Sequence, residues 1–323
     1  MTLSVIKPRL FVSRCLGFDA CRWNGAEIPD AFIEKLKPCT EIIHACPEAD
    51  IGLGVPRNPV RLVRQDDSDR MVQLDTERDV TDDMQRFSDN LIGSLEYADG
   101  FILKGRSPSC GLKDVKVYPG LDRHNTVAKT AGLFAREVIK TFPGIPVETE
   151  GRLKNFTIRE TFLTRLFVLA RFRQTAAEHF IKNLVRFHAE HKLLLMAYNQ
   201  KEMRIMGRIT ANHERKAQEQ VFSEYAEHLK KALEKPARYT SNINVLMHAF
   251  GYVSEKLSGE EKRFFLNTLE EYRREQMPLS VPRHLMHAHA VRFGEEYLLQ
   301  QVFFSPYPAD LTEITDSGKG RNG

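Results

Sequence analysis

Five cysteines carry the most distinctive chemistry in this sequence: Cys15, Cys21, Cys39, Cys46 and Cys110. The opening MTLSVIKPRLFV lacks the small-residue cleavage site of a secretory signal, and no stretch reaches the ~18–20 apolar residues of a spanning helix. We therefore expect a cytoplasmic protein without a membrane partner. Because a reducing cytoplasm keeps thiols free, these cysteines predict catalysis or metal binding rather than a disulfide framework.

Three of these cysteines share a position in the predicted topology, each just after an apolar run that is typical of a β-strand. They are Cys15 after residues 9–14, Cys46 after residues 41–45, and Cys110 after residues 100–104 and the loop GRSPS. In an open parallel sheet, ligand sites lie in the crevice beyond the carboxyl ends of the strands. The three thiols are therefore expected to converge on one point.

Three converging thiolates leave more than one interpretation open. Structural zinc sites usually have four ligands with C-x2-C pairs, and this chain contains no such pair. An iron-sulfur cluster held by only three thiolates would keep one iron open as a Lewis acid. The remaining alternative is a set of buried structural thiols, since free cysteine is among the most buried residue types.

The elements that must position these thiols follow an α/β pattern over the first 150 residues. Strands are predicted at 9–14, 41–45, 60–64, 100–104 and 145–147, and helices at 81–97 and 126–141. Thr81 is the expected N-cap of the first helix. This alternation predicts a parallel-sheet, Rossmann-like N-terminal domain.

The pattern becomes purely helical after residues 143–155, a segment with two prolines and two glycines. We predict domains at 1–150 and 151–308, followed by a disordered polar tail at 309–323. Helices are expected at about 157–173, 176–198, 213–234, 241–256, 259–276 and 283–303. Ser258 and Glu261 form a capping-box start for the fifth of them.

Positive charge is concentrated at the start of this all-α domain. The net charge is only +4, but residues 151–210 hold twelve Lys or Arg against four Asp or Glu. A local excess of this size suits a polyanion such as nucleic acid, whereas the alternative is a solvated helical face without a partner. The residues nominated as nucleic-acid contacts are Arg171, Arg173, Lys182, Arg186 and Lys192.

Three motifs resemble the signature of TudS-type thiouracil desulfidases: VSRCLG, CPEADIGLGVPR and LKGRSPSCG, at residues 12–17, 46–57 and 103–111. The segments LVRFHAEHKLLLMAYNQ and QQVFFSPYP, at 184–200 and 300–308, resemble the YbgA-type domain. A fusion of the two is similar to RudS-type enzymes, which remove sulfur from 4-thiouridine in tRNA.

The resemblance implies a 4Fe-4S cluster held by Cys15, Cys46 and Cys110, with the open iron binding the sulfur of the substrate. Cys21 and Cys39 fall outside the matched motif positions. The reaction implied is non-redox: water replaces the sulfur, and hydrogen sulfide is released.

The resemblance also assigns catalytic roles to Glu48 of C-P-E and Ser107 of S-P-S-C. Glu48 would act as general base or proton shuttle. Ser107 would hydrogen-bond the base or stabilise the tetrahedral intermediate. Arg22 and Arg57 are weaker predictions, as substrate contacts.

Two other functions remain open from the sequence. The substrate could be free thiouracil or a thionucleoside, with the helical domain only stabilising the protein. The chain could instead be a noncatalytic iron-sulfur sensor that binds RNA through its basic domain.

Overall fold

The computed structural model describes residues 6–122 and 125–312. The chain forms two compact units, one running to Ala170 and taking in the C-terminal stretch from Tyr307, the other spanning Arg171–Pro306. The predicted domain boundary near residue 150 stays a prediction. The predicted disorder of the tail falls mainly on residues 313–323, outside the described residues.

Among the residues that the structure describes, the first unit contains eight strands: β1 Arg9–Ser13, β2 Glu41–Ala45, β3 Val60–Gln65, β4 Ser68–Gln73, β5 Gly100–Leu103, β6 Val115–Tyr118, β7 Ala128–Thr130 and β8 Val147–Thr149. A parallel sheet has the order β2-β1-β5-β8. Phe11 of β1 and Phe101 of β5 are fully buried and pack 5.7 Å apart between ring centroids. The predicted α/β class of this part of the chain is confirmed.

A second sheet, with the order β4-β3-β6-β7, was not predicted. It is mixed, because β3 pairs antiparallel with β4 and parallel with β6, and β6 pairs antiparallel with β7. The run at 60–64 was expected beside the cysteine-bearing strands, but it belongs to this second sheet. The strands β6 and β7 have only four and three residues, too few for their alternation to be recognised.

Three helices belong wholly to the first unit: α1 Ala31–Leu36, α2 Thr81–Ser94 and α3 Leu133–Thr141. The prediction of Thr81 as N-cap is wrong, because Thr81 is the first helical residue and its hydroxyl accepts the N–H of Met71 at 2.8 Å. Asp79 Oδ1 accepts the Thr81 N–H instead, at 2.9 Å. The helix predicted from residue 126 begins only at Leu133, since residues 128–130 form β7.

The rest of the described chain is helical: α4 Phe156–Ala177, α5 Ile181–Ala211, α6 Gln218–Ala232, α7 Tyr239–Val253, α8 Gly259–Arg273, α9 Ser280–Phe293 and α10 Glu296–Leu299. The all-α class and the capping box of Ser258 and Glu261 are confirmed. Asn199 interrupts α5 with φ −157° and ψ 96°, and its side chain accepts the Glu202 N–H at 3.1 Å. Within the described ranges, no helix is long and apolar enough to cross a membrane.

Candidate active site

The structure brings Cys15, Cys46 and Cys110 to one cavity of about 820 Å³ in the first unit. Cys15 lies two residues beyond β1, Cys46 directly follows β2, and Cys110 ends the loop after β5. All three side chains are buried. Because these strands are parallel neighbours, their carboxyl ends meet at the same edge, which explains why residues so distant in sequence line one cavity.

Cys21 lines the same cavity, although the motif comparison had set it aside. It is buried, and its carbonyl oxygen accepts the Cys46 thiol at 3.6 Å. Cys39 is half-buried and does not line the cavity. This distinction could not be predicted from the sequence, because Cys21 follows no strand.

The thiols disfavour each other's ionisation. Burial, and then the neighbouring Cys110, raise the pKa of Cys15 well above its ordinary value. Burial, followed by the charge of Cys46, raises the pKa of Cys21 to about 12, and burial raises the pKa of Cys110 to about 12. Thiolates grouped in this way need a compensating positive charge at the same place.

The donor set fits an iron-sulfur cluster in its chemistry, because cysteine thiolates are the usual ligands of such clusters. Among the described residues, no group of three or more His, Cys, Asp or Glu side chains is arranged to hold one metal ion. The thiolates of a 4Fe-4S cluster bind different irons, so their sulfur atoms do not have to meet at a single centre. Three buried thiols around an open cavity suit such a group.

Glu48, two residues after Cys46, has a buried carboxylate that accepts four hydrogen bonds. Its Oε2 accepts from Arg57 Nη2 at 2.7 Å and Nε at 3.2 Å. Its Oε1 accepts from the hydroxyls of Ser107 and Ser109, at 3.0 and 2.8 Å. A carboxylate has about four acceptor positions, so this one is fully satisfied and fixed in orientation.

Arg57 fixes this arrangement from the other side. Its side chain is only 3% exposed, and its Nη1 donates to the carbonyls of Cys21 at 2.9 Å and Gly54 at 3.1 Å. The guanidinium therefore joins the carboxylate to the backbone of the cysteine-bearing loops. This observation gives Arg57 a positioning role that the sequence could not provide.

Ser109 is the residue of this network that the sequence reasoning missed. Ser107 and Ser109 lie 2.9 Å apart between hydroxyl oxygens, and both contact Glu48. Ser107 Oγ also accepts the backbone N–H of Ser109 and of Cys110, each at 3.3 Å. The second serine of S-P-S-C was the available signal, since both serines precede the cysteine within one tight turn.

The S-P-S-C loop is held by the first turn of α3. Leu133 N–H donates to the Pro108 carbonyl at 3.1 Å, and Ala135 N–H donates to the Ser109 carbonyl at 3.0 Å. Gly132, at the N-cap, has no room for a side chain: a Cβ there would lie 2.5 Å from the backbone of Ser109. Close backbone approach therefore requires glycine at this position.

The charged residues that line the cavity are mostly basic. Among its described lining residues are eight Lys or Arg and two Asp or Glu. The basic ones are Arg14, Arg22, Arg57, Arg61, Lys104, Arg106, Lys116 and Lys129. Trp23 also lines it and is 45% exposed. A flat, exposed ring of this kind can stack on a nucleobase.

The nominated RNA contacts all lie in the second unit. Arg171 donates to the Pro306 carbonyl at 2.8 Å, and burial lowers its pKa to about 10. Lys182, Arg186 and Lys192 are exposed on α5. Arg173 is half-buried. As RNA contacts, all five stay predictions.

Comparison with known proteins agrees with the geometry of the first unit. The model of the family described as 2-thiouracil desulfurase matches residues 10–150. The uncharacterized protein YbbK of Bacillus subtilis (strain 168) is 33% identical over 111 residues, which cover 32% of this chain and 72% of YbbK. The chain belongs to the 2-thiouracil desulfurase family. Membership of this family supports an enzyme with desulfidase activity.

The family domain is fused to a second recognisable domain. A model described as a protein of unknown function (DUF1722) matches residues 192–308. The uncharacterized protein YbgA of Escherichia coli (strain K12) is 24% identical over 151 residues, 46% of this chain and 89% of YbgA. The predicted fusion of a thiouracil-desulfidase domain with a YbgA-type domain is confirmed.

A solved structure was also found, that of a [4Fe-4S]-dependent thiouracil desulfidase, TudS. It is 27% identical, with coverage of 46% of this chain and 93% of that chain and a TM-score of 0.38.

Proposed function

We propose that this protein hydrolyses the thiocarbonyl group of a thiolated uracil, and that its main substrate is 4-thiouridine in tRNA. Water supplies the oxygen that replaces sulfur, so that C=S and H₂O give C=O and H₂S without a net change of oxidation state. The observation that carries the proposal is the meeting of three buried cysteines with the Glu48–Ser107 hydrogen bond in one cavity.

The cofactor in this proposal is a 4Fe-4S cluster held by Cys15, Cys46 and Cys110. When bound, the cluster would supply an iron without a protein ligand, a Lewis acid that draws electron density from the carbon–sulfur bond. Burial raises the pKa of Cys15 and of Cys21, and the positive charges of Lys104 and Arg14 act in the opposite direction on Cys15 and Cys21 respectively.

Glu48 is the proton-handling group. It lies in the same cavity, and the bidentate contact with Arg57 keeps its carboxylate in one orientation. Because both of its oxygens already accept hydrogen bonds, Glu48 would receive the proton of the attacking water through the Ser107 hydroxyl, and general-base assistance of this kind contributes about 10²–10⁴-fold to a rate. Glu48 is two residues after Cys46, and both line the cavity. A substrate bound to a cofactor on Cys46 would therefore lie close to Glu48.

Ser107 and Ser109 connect Glu48 to the open part of the cavity. Each hydroxyl has one proton, which it can donate to Glu48, so a proton can pass between the carboxylate and the cavity by way of these serines. Ser107 is the better placed of the two to meet substrate, because Ser109 is almost fully buried, at 1% exposed. We assign Ser107 to contact with the base and Ser109 to orientation of Glu48.

The tRNA substrate is supported by the basic helix α5. Lys182, Arg186 and Lys192 are exposed along it, and Arg186 makes only a loose ion pair with Glu190, at 4.0 Å. Loosely paired surface cations are the usual source of affinity for phosphate backbones. A thiolated base must leave its stack to reach a buried site, at a cost of a few kcal/mol that backbone contacts can offset.

The proposal is tested with the full chain, reconstituted anaerobically with iron and sulfide. Thiolated bulk tRNA and free 2- and 4-thiouracil are offered separately, and loss of thiocarbonyl absorbance is followed together with release of sulfide. We expect turnover on tRNA that falls steeply with ionic strength and is absent in Cys46→Ala.

Each other outcome identifies another function. Turnover on the free bases alone, independent of salt, would make the helical unit a structural accessory. A chain that retains iron and binds tRNA but releases no sulfide would be a noncatalytic iron-sulfur sensor. The bonded network around Glu48 favours a desulfidase over the sensor, and the comparison of substrates distinguishes the two desulfidases.

A further inference from the structure

Two lysines face each other in the second sheet, and no described acidic side chain lies between them. Lys116 of β6 and Lys129 of β7 are directly opposed in the antiparallel register. Both are exposed and both line the cavity that holds the cysteines. Like charges in directly opposite positions destabilise an antiparallel pair, so the fold alone gives no reason for this arrangement.

Arg61 adds a third positive charge, on the neighbouring strand β3. Residues alternate between the faces of a strand, and the buried Leu62 of β3 pairs with the buried Val117 of β6. Arg61 and Lys116 therefore lie on the opposite face from these two. Since neighbouring strands are ~4.8 Å apart, Arg61, Lys116 and Lys129 form a row of about 10 Å, which we call the basic row.

Arg61 is held in position by its own contacts. Its guanidinium carbon lies 4.3 Å from the ring centroid of Tyr118, and its Nη1 donates to the Leu121 carbonyl at 2.9 Å. Neither partner is an anion. These two contacts fix the Arg61 guanidinium at the lining of the cavity, beside Lys116.

The acidic residues that line the cavity are occupied elsewhere. Glu48 accepts two hydrogen bonds from Arg57, and Asp114 lies 3.7 Å from Arg106. A neutral thiouracil ring has no net charge to attract three cations in the lining of its binding cavity. A ligand with negative charge beside the base would gain at each of them.

We propose that the basic row binds the phosphate groups of the nucleotide chain that carries the thiolated base. This inference rests on the proposed function for the identity of the base, but the phosphate contact follows from the row itself. The row belongs to the desulfurase unit, so this unit recognises nucleic acid independently of the basic helix α5. Its length, about 10 Å, favours the phosphodiesters of an RNA strand over a single terminal phosphate.

The experiment compares Lys116→Gln/Lys129→Gln with Lys113→Gln in the full chain. Lys113 is exposed and lies three residues from Lys116, but it does not line the cavity, so it controls for loss of charge. The substrates are free 4-thiouracil, 4-thiouridine, 4-thiouridine 5′-monophosphate and thiolated tRNA. Binding of unthiolated tRNA is measured in parallel as a function of salt.

We expect the double variant to raise KM for thiolated tRNA and Kd for unthiolated tRNA by about tenfold or more. Each lost phosphate contact lowers the slope of log Kd against log salt by about 0.7 for a single strand, so the slope should fall by about 1.4. The loss on free 4-thiouracil should be several-fold smaller, and Lys113→Gln should resemble the wild type on every substrate.

Misfolding would not produce this result. Removing one or both of two opposed like charges relieves repulsion, so the midpoint of thermal unfolding should stay the same or rise. A lower midpoint together with an equal loss on every substrate would overturn the inference, because it would make the lysines structural.

Comparing the four substrates shows whether the row binds the phosphates of an RNA strand or the phosphate of a single nucleotide. A loss on tRNA alone assigns the row to an RNA strand, and an equal loss on the monophosphate assigns it to a single nucleotide. A loss on neither overturns the inference. If the wild type releases no sulfide from any substrate, the proposed function fails, whereas the binding of unthiolated tRNA still decides the role of the row.

Discussion

Glu48 and the Lys116–Lys129 pair line the same cavity but differ in whether their charge has a partner in the protein. The Glu48 carboxylate has four donors from three side chains, so its charge is balanced inside the protein. The two lysines face each other with no described anion between them.

The difference separates two uses of polar residues. A buried group with every hydrogen bond made is rigid and needs no ligand to complete it, which suits a group that must handle protons in one fixed place. Unbalanced charges at a surface remain available for a ligand that supplies the opposite charge. The first region therefore carries the chemistry in our proposal, and the second carries recognition.

The largest expected effect tests whether the thiols beside Glu48 hold the iron-sulfur cluster. Cys46→Ala should abolish iron binding after reconstitution and reduce sulfide release to background, because one of three proposed ligands is lost. Iron and sulfide per chain are the measurements. Cys39→Ala is the control, since Cys39 lies outside the cavity, and an equal loss in that variant would contradict the assignment.

The next effect tests the balanced network itself. Glu48→Gln should lower kcat by about 10²–10⁴-fold while iron content is unchanged, because the amide keeps the shape but cannot accept the proton. Asp69→Asn is a matched control: this carboxylate is similarly buried between Arg64 and Arg136, but it lies outside the cavity. It should lower stability to urea and leave kcat near the wild-type value.

Gly132→Ala would displace the loop that carries Ser107 and Ser109 without changing any polar side chain around Glu48. The added Cβ would meet the Ser109 backbone at 2.5 Å, so the S-P-S-C loop must shift, at a cost of about 1–3 kcal/mol in unfolding free energy. We expect kcat to fall with it. Gly93→Ala, in α2 with open space around the position, should be neutral or stabilising by up to ~1 kcal/mol. Equal effects of the two changes would refute the close-approach argument.

The smallest expected effect tests whether Lys116 and Lys129 repel each other. Lys129→Gln should raise the free energy of unfolding by ~0.2–1 kcal/mol at low salt, because it removes a repulsion, and the gain should shrink as salt is added. Lys140→Gln should have the opposite sign, since Lys140 lies 3.3 Å from Glu137 on the same helix. Urea unfolding at two ionic strengths measures both.

The convergence of the three cysteines could be predicted because it depends on one rule of parallel sheets, that the carboxyl ends of neighbouring strands share an edge. The rule needs only that 9–13, 41–45 and 100–103 be recognised as strands, and their apolar runs were sufficient. The roles of Glu48 and Ser107 came from the motif resemblance, and their mutual hydrogen bond is a finding of the structure.

The remaining features depend on contacts between segments that no local pattern records. Gly132 is required by the approach of Ser109, which is 23 positions earlier in the chain. The opposition of Lys116 and Lys129 depends on a strand of three residues that was predicted as part of a helix. Cys21 joins the cavity through a loop without strand or helix character. Tertiary packing determines each of these.

The first turn of α3 has a consequence for how the cavity can open. The amides of Gly132, Leu133 and Ala135 donate to the carbonyls of Gly111, Pro108 and Ser109. The S-P-S-C loop can therefore move away only when these amides are released to solvent. Their hydrogen-exchange rates report the opening of the site directly, in the resting protein, before any substrate or reaction is involved.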